Sequence, residues 1–528
     1  MNGGGATRES TLTVEPVDDA IGTTAPTLRQ QTATGAAWMA SATLVQALLQ
    51  LLVVAILSRI VDRAQFGLIA GAQVVVGFAQ ILANSGIGLA LVQRPTISDA
   101  TVRAAVTLQV LTGVAIWVAL AVAAAPLEDL LRLEGLAPII RGLGGVFLIQ
   151  NLSVSGSLLA RRLAFSKIAF CDLVSYAFGY GLVSVVCALS GLGAWAIVLG
   201  QICDAALRAL MLFVIQPHSM RPLLSRSETA ALFRFGGGQT ASVVGTWIAG
   251  QGDNAVVGRY LGAATLGLYS RAYMLMMIPA MLIGSAFDRV LFPAMASVQD
   301  DKRRLRVAVT HSLGTVALLS LPATVIAVVL SRDVVITVLG EEWVPMHTCF
   351  AILGVGVFLR TASRIADGVA RASGAVGALA GRKFVFAAAV LAGSVIGKQA
   401  GINGVAWGVL GALLVNLALT MQLAIRLTDA SVAAILRAHA PAIIAAAIAG
   451  TAAAGARWSG GIADLPSAAT VALAVALAGG GLIAWLRWAS SRHGSTYSLV
   501  RENLELVRHP RVRGLGAVIG RGYFADRA

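Results

Sequence analysis

Stretches of 18 or more predominantly apolar residues recur from about residue 34 to residue 488, and no other feature limits the fold so severely. Each is long enough to cross a hydrocarbon core roughly 30 Å thick as a helix. Inside such a core the backbone must satisfy its own hydrogen bonds, which leaves helices or closed barrels. Aliphatic runs of this length are helical. Charge content agrees, because 12% of the residues are Asp, Glu, Lys or Arg, against about 25% in soluble domains. A large soluble helical protein would need far more polar surface than these runs offer.

The expected spans are 34–57, 67–92, 102–125, 138–158, 168–189, 193–215, 230–252, 272–296, 307–330, 345–366, 384–400, 402–425, 436–456 and 466–486. The fold class is therefore an all-α membrane protein of about fourteen transmembrane helices. Gly401 and Asn403 supply the break between the closely joined eleventh and twelfth. Loop charges give an independent check, since cytoplasmic loops are enriched in Lys and Arg. With a cytoplasmic N-terminus, that side receives Arg94 and Arg103; Arg161, Arg162 and Lys167; Arg221 and Arg226; Lys302, Arg303, Arg304 and Arg306; Arg371, Arg382 and Lys383; and Arg426 and Arg437. The opposite side holds the sparser Arg59, Arg63, Arg132, Arg259, Arg332, Lys398 and Arg457. Acidic Glu128, Asp129, Glu134, Glu341 and Glu342 collect there too. An even number of spans leaves both termini in the cytoplasm.

The formal charge of +15 thus follows membrane topology and gives no reason to expect nucleic acid. Residues 1–33 lack the basic start and apolar core of a signal peptide and are expected to form a disordered cytoplasmic leader. Residues 487–528 form a basic cytoplasmic tail, with Arg508, Arg511 and Arg513 close together. Such a tail suits anionic membrane lipids, at about 1 kcal/mol per basic residue near the surface. Cys171, Cys187, Cys203 and Cys349 lie in or beside apolar spans without a CxxC pair and read as small buried hydrophobes.

Two segments 200 positions apart resemble each other: ILSRIVDRAQFGLIAGA at 56–72 and VVGRYLGAATLGLYSRA at 256–272. Arg59 aligns with Arg259, Gly67 with Gly267 and Leu68 with Leu268. The copies sit six spans apart and therefore share one membrane orientation. They imply two parallel six-helix lobes, an N-lobe over 34–215 and a C-lobe over 230–425, joined by a cytoplasmic linker at 216–229. Two peripheral C-terminal helices follow at 436–486. Parallel repeats related by an axis along the membrane normal are a recurrent transporter plan, with the pathway between them.

Charges inside a bilayer are expensive and should face protein or a wet cavity. The candidates are Asp172, Asp204 with Arg208, Asp253, Arg271, Asp288 with Arg289, and Arg360. Asp204 and Arg208, four apart on one helical face, are placed to pair locally, and Asp172 and Arg289 sit near span ends where snorkelling is cheap. Arg360 has no acid within one turn, and Asp367 is two turns away. It reads either as part of a wet, positively charged interior suited to an anion or as a helix-packing residue. Gln46, Gln50, Gln73, Gln80 and Asn84 suggest that the first two helices face a cavity. No Walker loop, dinucleotide fingerprint, HExxH or nucleophile–base pair is present. Neither catalysis, a metal nor a cofactor is expected, and uphill work would draw on an ion gradient, a substrate gradient or the membrane potential.

The stretch AILSRIVDRAQFGLIAGAQVVVGFAQILANSGIGLALVQR at 55–94 resembles the opening of polysaccharide flippases of the multidrug/oligosaccharidyl-lipid/polysaccharide exporter superfamily, in the O-unit and colanic-acid-type exopolysaccharide branch. A second block carries more of the pattern: Asp253-Asn254, Gly258-Arg259, Leu261-Gly262, Gly267 to Tyr273, Leu291 to Pro293 and Gln299 to Asp301. The resemblance covers roughly 30–430 and fades through the last two spans. It implies a non-enzymatic transporter that moves polyprenyl-pyrophosphate-linked oligosaccharide repeat units across the bacterial inner membrane, with polymerases and glycosyltransferases of the same pathway as partners. Arg360, Arg271, Arg259 and Arg59 are then expected to face the substrate, although the motif positions also admit a structural role. Asp253, Asp288 and Asp204 are expected to couple ions or gate. The alternatives are a related exporter of a drug or lipid-linked peptidoglycan precursor, and a membrane polymerase or ligase. A drug pump would favour acidic cavity residues, and a polymerase would need a larger periplasmic loop.

Overall fold

The structure, a computed structural model, describes residues 45–83, 87–94, 96–224, 240–296, 299, 301–463 and 465–491. The expected leader, residues 225–229 of the linker and the tail from 492 lie outside these, as do the side chains of Asn84, Asp288 and Arg289. The first half of the chain forms α1 (Val45–Leu57), α2 (Arg63–Ala83), α3 (Ile87–Gln93), α4 (Asp99–Leu131), α5 (Leu136–Gln150), α6 (Ser155–Arg161), α7 (Phe165–Leu189) and α8 (Ala194–Ile215). The second half forms α9 (Thr240–Leu261), α10 (Ala263–Ala296), α11 (Lys302–Val329), α12 (Ser331–Val338), α13 (His347–Ala372), α14 (Val376–Gly397), α15 (Gly401–Thr428), α16 (Val432–Ile462) and α17 (Ser467–Ser491).

Among the described residues, ten segments are long and apolar enough to cross a membrane, and the bent pair α5–α6, with a 48° kink, makes an eleventh. One of the ten is Val376–Thr428, whose 53 residues would extend about 80 Å as one helix. No bilayer is that thick. The segment is instead a hairpin in which α14 and α15 fold back on each other, Gly393 against Gly408 and Gly397 against Gly404. Hydropathy alone yields fewer spans than fourteen, yet every expected span overlaps a described helix.

Local chemistry sets the helix ends. Ser98 caps α4 by accepting from Thr101 N at 3.2 Å, and Asp301 caps α11 by accepting from Arg303 N at 2.9 Å and Arg304 N at 3.1 Å. Such caps are worth about 1 kcal/mol each. Within α7 the turns Ser175–Leu182 widen to π-helix. There Gly179 lies so near α8 that an added Cβ would come within 2.6 Å of Asp204 Cα.

The helices pack in two groups around α2, α9 and α10. On one side α4, α5, α7 and α8 pack on one another, with α2 against α4 and α5. On the other, α13 packs on α11 and α15, α14 on α15, α16 on α11, and α17 on α16. The groups meet where α2 crosses α10 and α9. Here the sequence repeat becomes a geometric one. Gly67 abuts the Ala263 carbonyl, and its counterpart Gly267 abuts the Arg63 carbonyl, the counterpart of Ala263. A Cβ on either glycine would overlap the opposite backbone, so this approach requires glycine. Two reciprocal contacts with one numbering offset define a pseudo-two-fold junction.

The apolar cores follow the same division. One large core joins both groups at this junction and contains Phe66, Leu133, Leu136, Tyr269, Trp343 and Met346. Toward the opposite ends of the helices the cores separate. Ile87, Leu91, Val102, Val106 and Leu158 cluster within the first group, and Phe287, Leu305, Val309, Ile365 and Val369 within the second. Among the described residues, then, one core joins both groups at one end, the seal, and separate cores occupy the other, the parted end.

Candidate functional site

Six side chains stitch the seal. Ser58 Oγ donates to Leu339 O at 3.1 Å, and Trp343 Nε1 donates back to Ser58 O at 2.9 Å. The Trp343 ring meets Phe66 edge-on, with centroids 5.5 Å apart. Arg59 donates to Thr337 O at 3.0 Å and Val338 O at 3.3 Å. Its repeat counterpart Arg259 donates to Leu130 O, on the other group. Both arginines grip the last carbonyls of a helix, which lack an intrahelical partner and carry the negative end of the helix dipole. Arg271 lies 4.2 Å over the Phe66 ring, a cation–π contact between α10 and α2. The three motif arginines therefore bridge the two groups, and none lines either of the two cavities described below.

Those cavities lie away from the seal, on different faces of α2: Gln80 lines one and its neighbour Ile81 the other. The cavity in the second group, about 570 Å³, has a cationic lining among the described residues, with Arg360, Arg364, Arg371 and Lys383 beside Asp367. Lys383, only 8% exposed, bonds Asp367 at 2.7 Å and Asn416 Oδ1 at 3.4 Å. Arg360 donates to Tyr273 OH at 2.7 Å and lies 5.0 Å over the same ring. Arg360 Nε and Asp367 Oδ1 are buried without a protein partner. Behind Tyr273 stands Tyr269, their ring centroids 6.4 Å apart, and Tyr269 OH donates to fully buried Asp253 at 2.7 Å. Asp253 thus ends a buried string leading to the cavity arginine. Its second oxygen accepts from Asn254 N at 2.9 Å.

The cavity in the first group, about 680 Å³, opens where α5 breaks into α6 and is lined by amides, hydroxyls and Arg208. The expected Asp204–Arg208 pair does not form. Arg208 instead reaches Asp172 at 2.5 Å, across from α8 to α7, because the close packing of Gly179 on the Asp204 backbone brings these helices together. Among the expected cavity amides, Gln80 lines this site, whereas Gln73 donates to Gln201 Oε1 at 3.2 Å. Asp288 lies outside the described side chains.

Of the residues expected to face the substrate, Arg360 is the one that lines a cavity here. Its companions Arg364, Asp367 and Arg371 recur at three- and four-residue intervals, one face of α13. That stripe is visible in the sequence, but Arg371 and Lys383 read there as loop charges. Among the described residues no cluster of three metal-ligating side chains occurs.

Residues 56–348 match the family model described as "Polysaccharide biosynthesis protein". The chain is 30% identical over 396 residues to the lipopolysaccharide biosynthesis protein WzxC of Escherichia coli (strain K12), covering 74% of this chain and 80% of that one. It is 29% identical over 296 residues to the succinoglycan biosynthesis transport protein ExoT of Rhizobium meliloti (strain 1021), covering 56% and 60%. Among solved structures, the lipid II flippase MurJ in an inward closed conformation superposes with a TM-score of 0.65 at 12% identity, over 85% of this chain and 99% of that one. At that identity the likeness is one of fold.

Proposed function

The chain belongs to the polysaccharide biosynthesis protein family, and from that premise we propose that it flips polyprenyl-pyrophosphate-linked oligosaccharide repeat units across the bacterial inner membrane, for exopolysaccharide or lipopolysaccharide biosynthesis. The single observation that carries this reading is the cavity that Arg360, Arg364, Arg371 and Lys383 line, among the described residues, within a bundle of membrane-spanning helices. Arg360 Nε is buried without a protein partner, and a diphosphate oxygen would complete it. Guanidinium groups meet phosphate oxygens with paired, charge-assisted hydrogen bonds. A cationic drug has no such reason to enter.

Orientation follows from loop charge. The sealed end carries Glu128, Asp129, Glu134, Glu341 and Glu342, and the parted end carries the more basic links. By the positive-inside rule the seal is periplasmic and the cavities face the cytoplasm. Two lobes, 34–215 and 230–425, rock against each other, parting and closing at the junction of α2 with α9 and α10. The headgroup enters from the cytoplasm while the polyprenyl tail stays in the bilayer. Opening then means releasing Arg59, Arg259 and Arg271 from their partners, which brings these cations to the periplasmic mouth. Asp253, at the end of the tyrosine string, is the acid best placed to respond to Arg360. No covalent bond of the substrate changes, so the role is transport, with polymerase and glycosyltransferases as pathway neighbours.

Deleting the gene in its native host, with redundant flippases excluded, tests this. The expected result is loss of surface polymer and accumulation of undecaprenyl-pyrophosphate-linked repeat units on the cytoplasmic face, rescued by wild type but not by Arg360→Ala at equal protein level. Unchanged polymer with no accumulated intermediate would end the assignment.

A further inference from the structure

The two cavities differ in chemistry, and the cationic one uses only half of the parted end. The other is lined by Gln80, Gln109, Gln150, Asn151 and Ser157 with Arg208. Its one cation is already neutralised, because Arg208 holds Asp172 at 2.5 Å. What remains is a set of amides and hydroxyls, each able both to donate and to accept hydrogen bonds. Side chains of this kind are costly against lipid and sit in a bundle interior only where a polar partner meets them. Neither a phosphate nor an apolar drug supplies a matching pattern. Vicinal sugar hydroxyls do, since each is at once donor and acceptor.

The site is also built. α5 breaks at Asn151 and resumes as α6 after a 48° turn. Ser155 Oγ pins that break to the end of α8 by donating to Gln216 O at 2.7 Å, and Arg162 reaches Gln216 Oε1 at 2.7 Å. Asn151 Nδ2 caps the broken helix at Phe147 O, 2.8 Å away. The floor of the cavity is therefore held by hydrogen bonds between helices and is not a chance gap. Adjacent residues of α2 face the two cavities, so one helix, roughly 10 Å across, divides them. A single molecule with a charged headgroup and a neutral polar chain can occupy both.

We propose that the amide-lined cavity between α2, α4, α5, α6 and α8 is a glycan-binding subsite, which holds the neutral sugars of the repeat unit while the cationic cavity holds the diphosphate. This rests on the function proposed above and assigns the two halves of that substrate to the two halves of the chain. Selectivity among repeat units then lies in Gln80, Gln109 and Gln150, and selectivity for the diphosphate lies in the α13 stripe.

The test uses the full chain in lipid nanodiscs and two probes: undecaprenyl pyrophosphate without sugar, and the water-soluble oligosaccharide released from the lipid-linked pool of the native host. Wild type is expected to bind both. The double variant Gln109→Leu/Gln150→Leu loses about tenfold or more in affinity for the oligosaccharide, as two hydrogen-bonding side chains disappear, and keeps undecaprenyl pyrophosphate within about twofold. Arg364→Gln does the reverse. If the leucine pair unfolds, Gln109→Asn and Gln150→Asn shorten the same groups without making them apolar and carry the same expectation. The subsite is refuted if wild type binds undecaprenyl pyrophosphate but not the oligosaccharide, or if the N-terminal variants lower both affinities together; the flippase reading survives either result. If wild type binds neither probe, the flippase reading falls and the subsite with it.

Discussion

Lys383 is 8% exposed and 2.7 Å from Asp367, deep in a chain that spans a membrane. Removing one member of such a pair strands the other charge, at about 3–5 kcal/mol, whereas replacing both by apolar groups of similar volume is often neutral. Asp367→Ala is therefore expected to cost several kcal/mol in unfolding measurements in detergent. The pair Asp367→Leu/Lys383→Met should recover most of that stability and still fail to complement the deletion. Recovery of both together would make the pair purely structural. His218 gives a second reading at this scale. It lies just past α8, its Nε2 3.2 Å from Ser153 Oγ and its ring against Phe213. Burial holds its imidazole below the usual histidine range. A depressed pKa means that the unfolded chain takes up the proton first, so stability is present above about pH 6.5 and lost as pH falls below it. His218→Gln should flatten the loss of stability between pH 7 and 5, seen as a smaller drop in Tm than wild type shows. Arg360 could be read from sequence because it stands alone in an apolar run. Lys383 could not, because its partner is on another helix and only packing reveals it.

At the scale of elements, the hairpin α14–α15 depends on backbone contact between two helices. A Cβ on Gly393 would lie 2.7 Å from the Gly408 carbonyl oxygen, and Gly397 and Gly404 face each other still more closely. Gly411, on the same helix as Gly404 and Gly408, has nothing within 4 Å of its Cβ position. Gly411→Ala should raise stability by up to about 1 kcal/mol through helix propensity. Gly393→Leu should lower it by about 1–3 kcal/mol through overpacking. Unfolding of the two variants in the same detergent checks both signs, and equal effects would contradict the contact. The same helices explain how far sequence reading reached. Apolar run length located a helix at each expected span and the break at Gly401. It ended the tenth span at 366, however, while α13 continues to Ala372 and carries Arg371 into the cavity. An average over hydropathy discards the charged turns that extend a helix past the lipid. Beyond Gln80, the amide cavity could not be read from sequence for a different reason, since its residues come from α2 to α6 and α8 with no shared spacing.

For the whole molecule, the decisive property is that the seal is built from two copies of one motif. Ser58 is 2% exposed and is held by Leu339 and Trp343 of the other group, so it reports on whether the groups have parted. In a chain whose four free cysteines are replaced, Ser58→Cys should react slowly with a membrane-impermeant maleimide added outside intact cells. Arg259→Ala removes the grip on Leu130 O. If that shifts the sealed–open balance by about 1.4 kcal/mol, labelling of a mostly sealed population rises about tenfold. The pseudo-two-fold makes a sharper demand. Gly67→Val and Gly267→Val each drive a side chain into the backbone of the other group at equivalent points. They should therefore accelerate labelling by similar factors, although they lie on different helices and 200 positions apart. Acceleration by only one of them would show that the repeat is a relic of sequence and that the seal opens on one side. Acceleration by neither would show that the junction of α2 with α10 stays closed through the cycle, and alternating access would then need a different hinge.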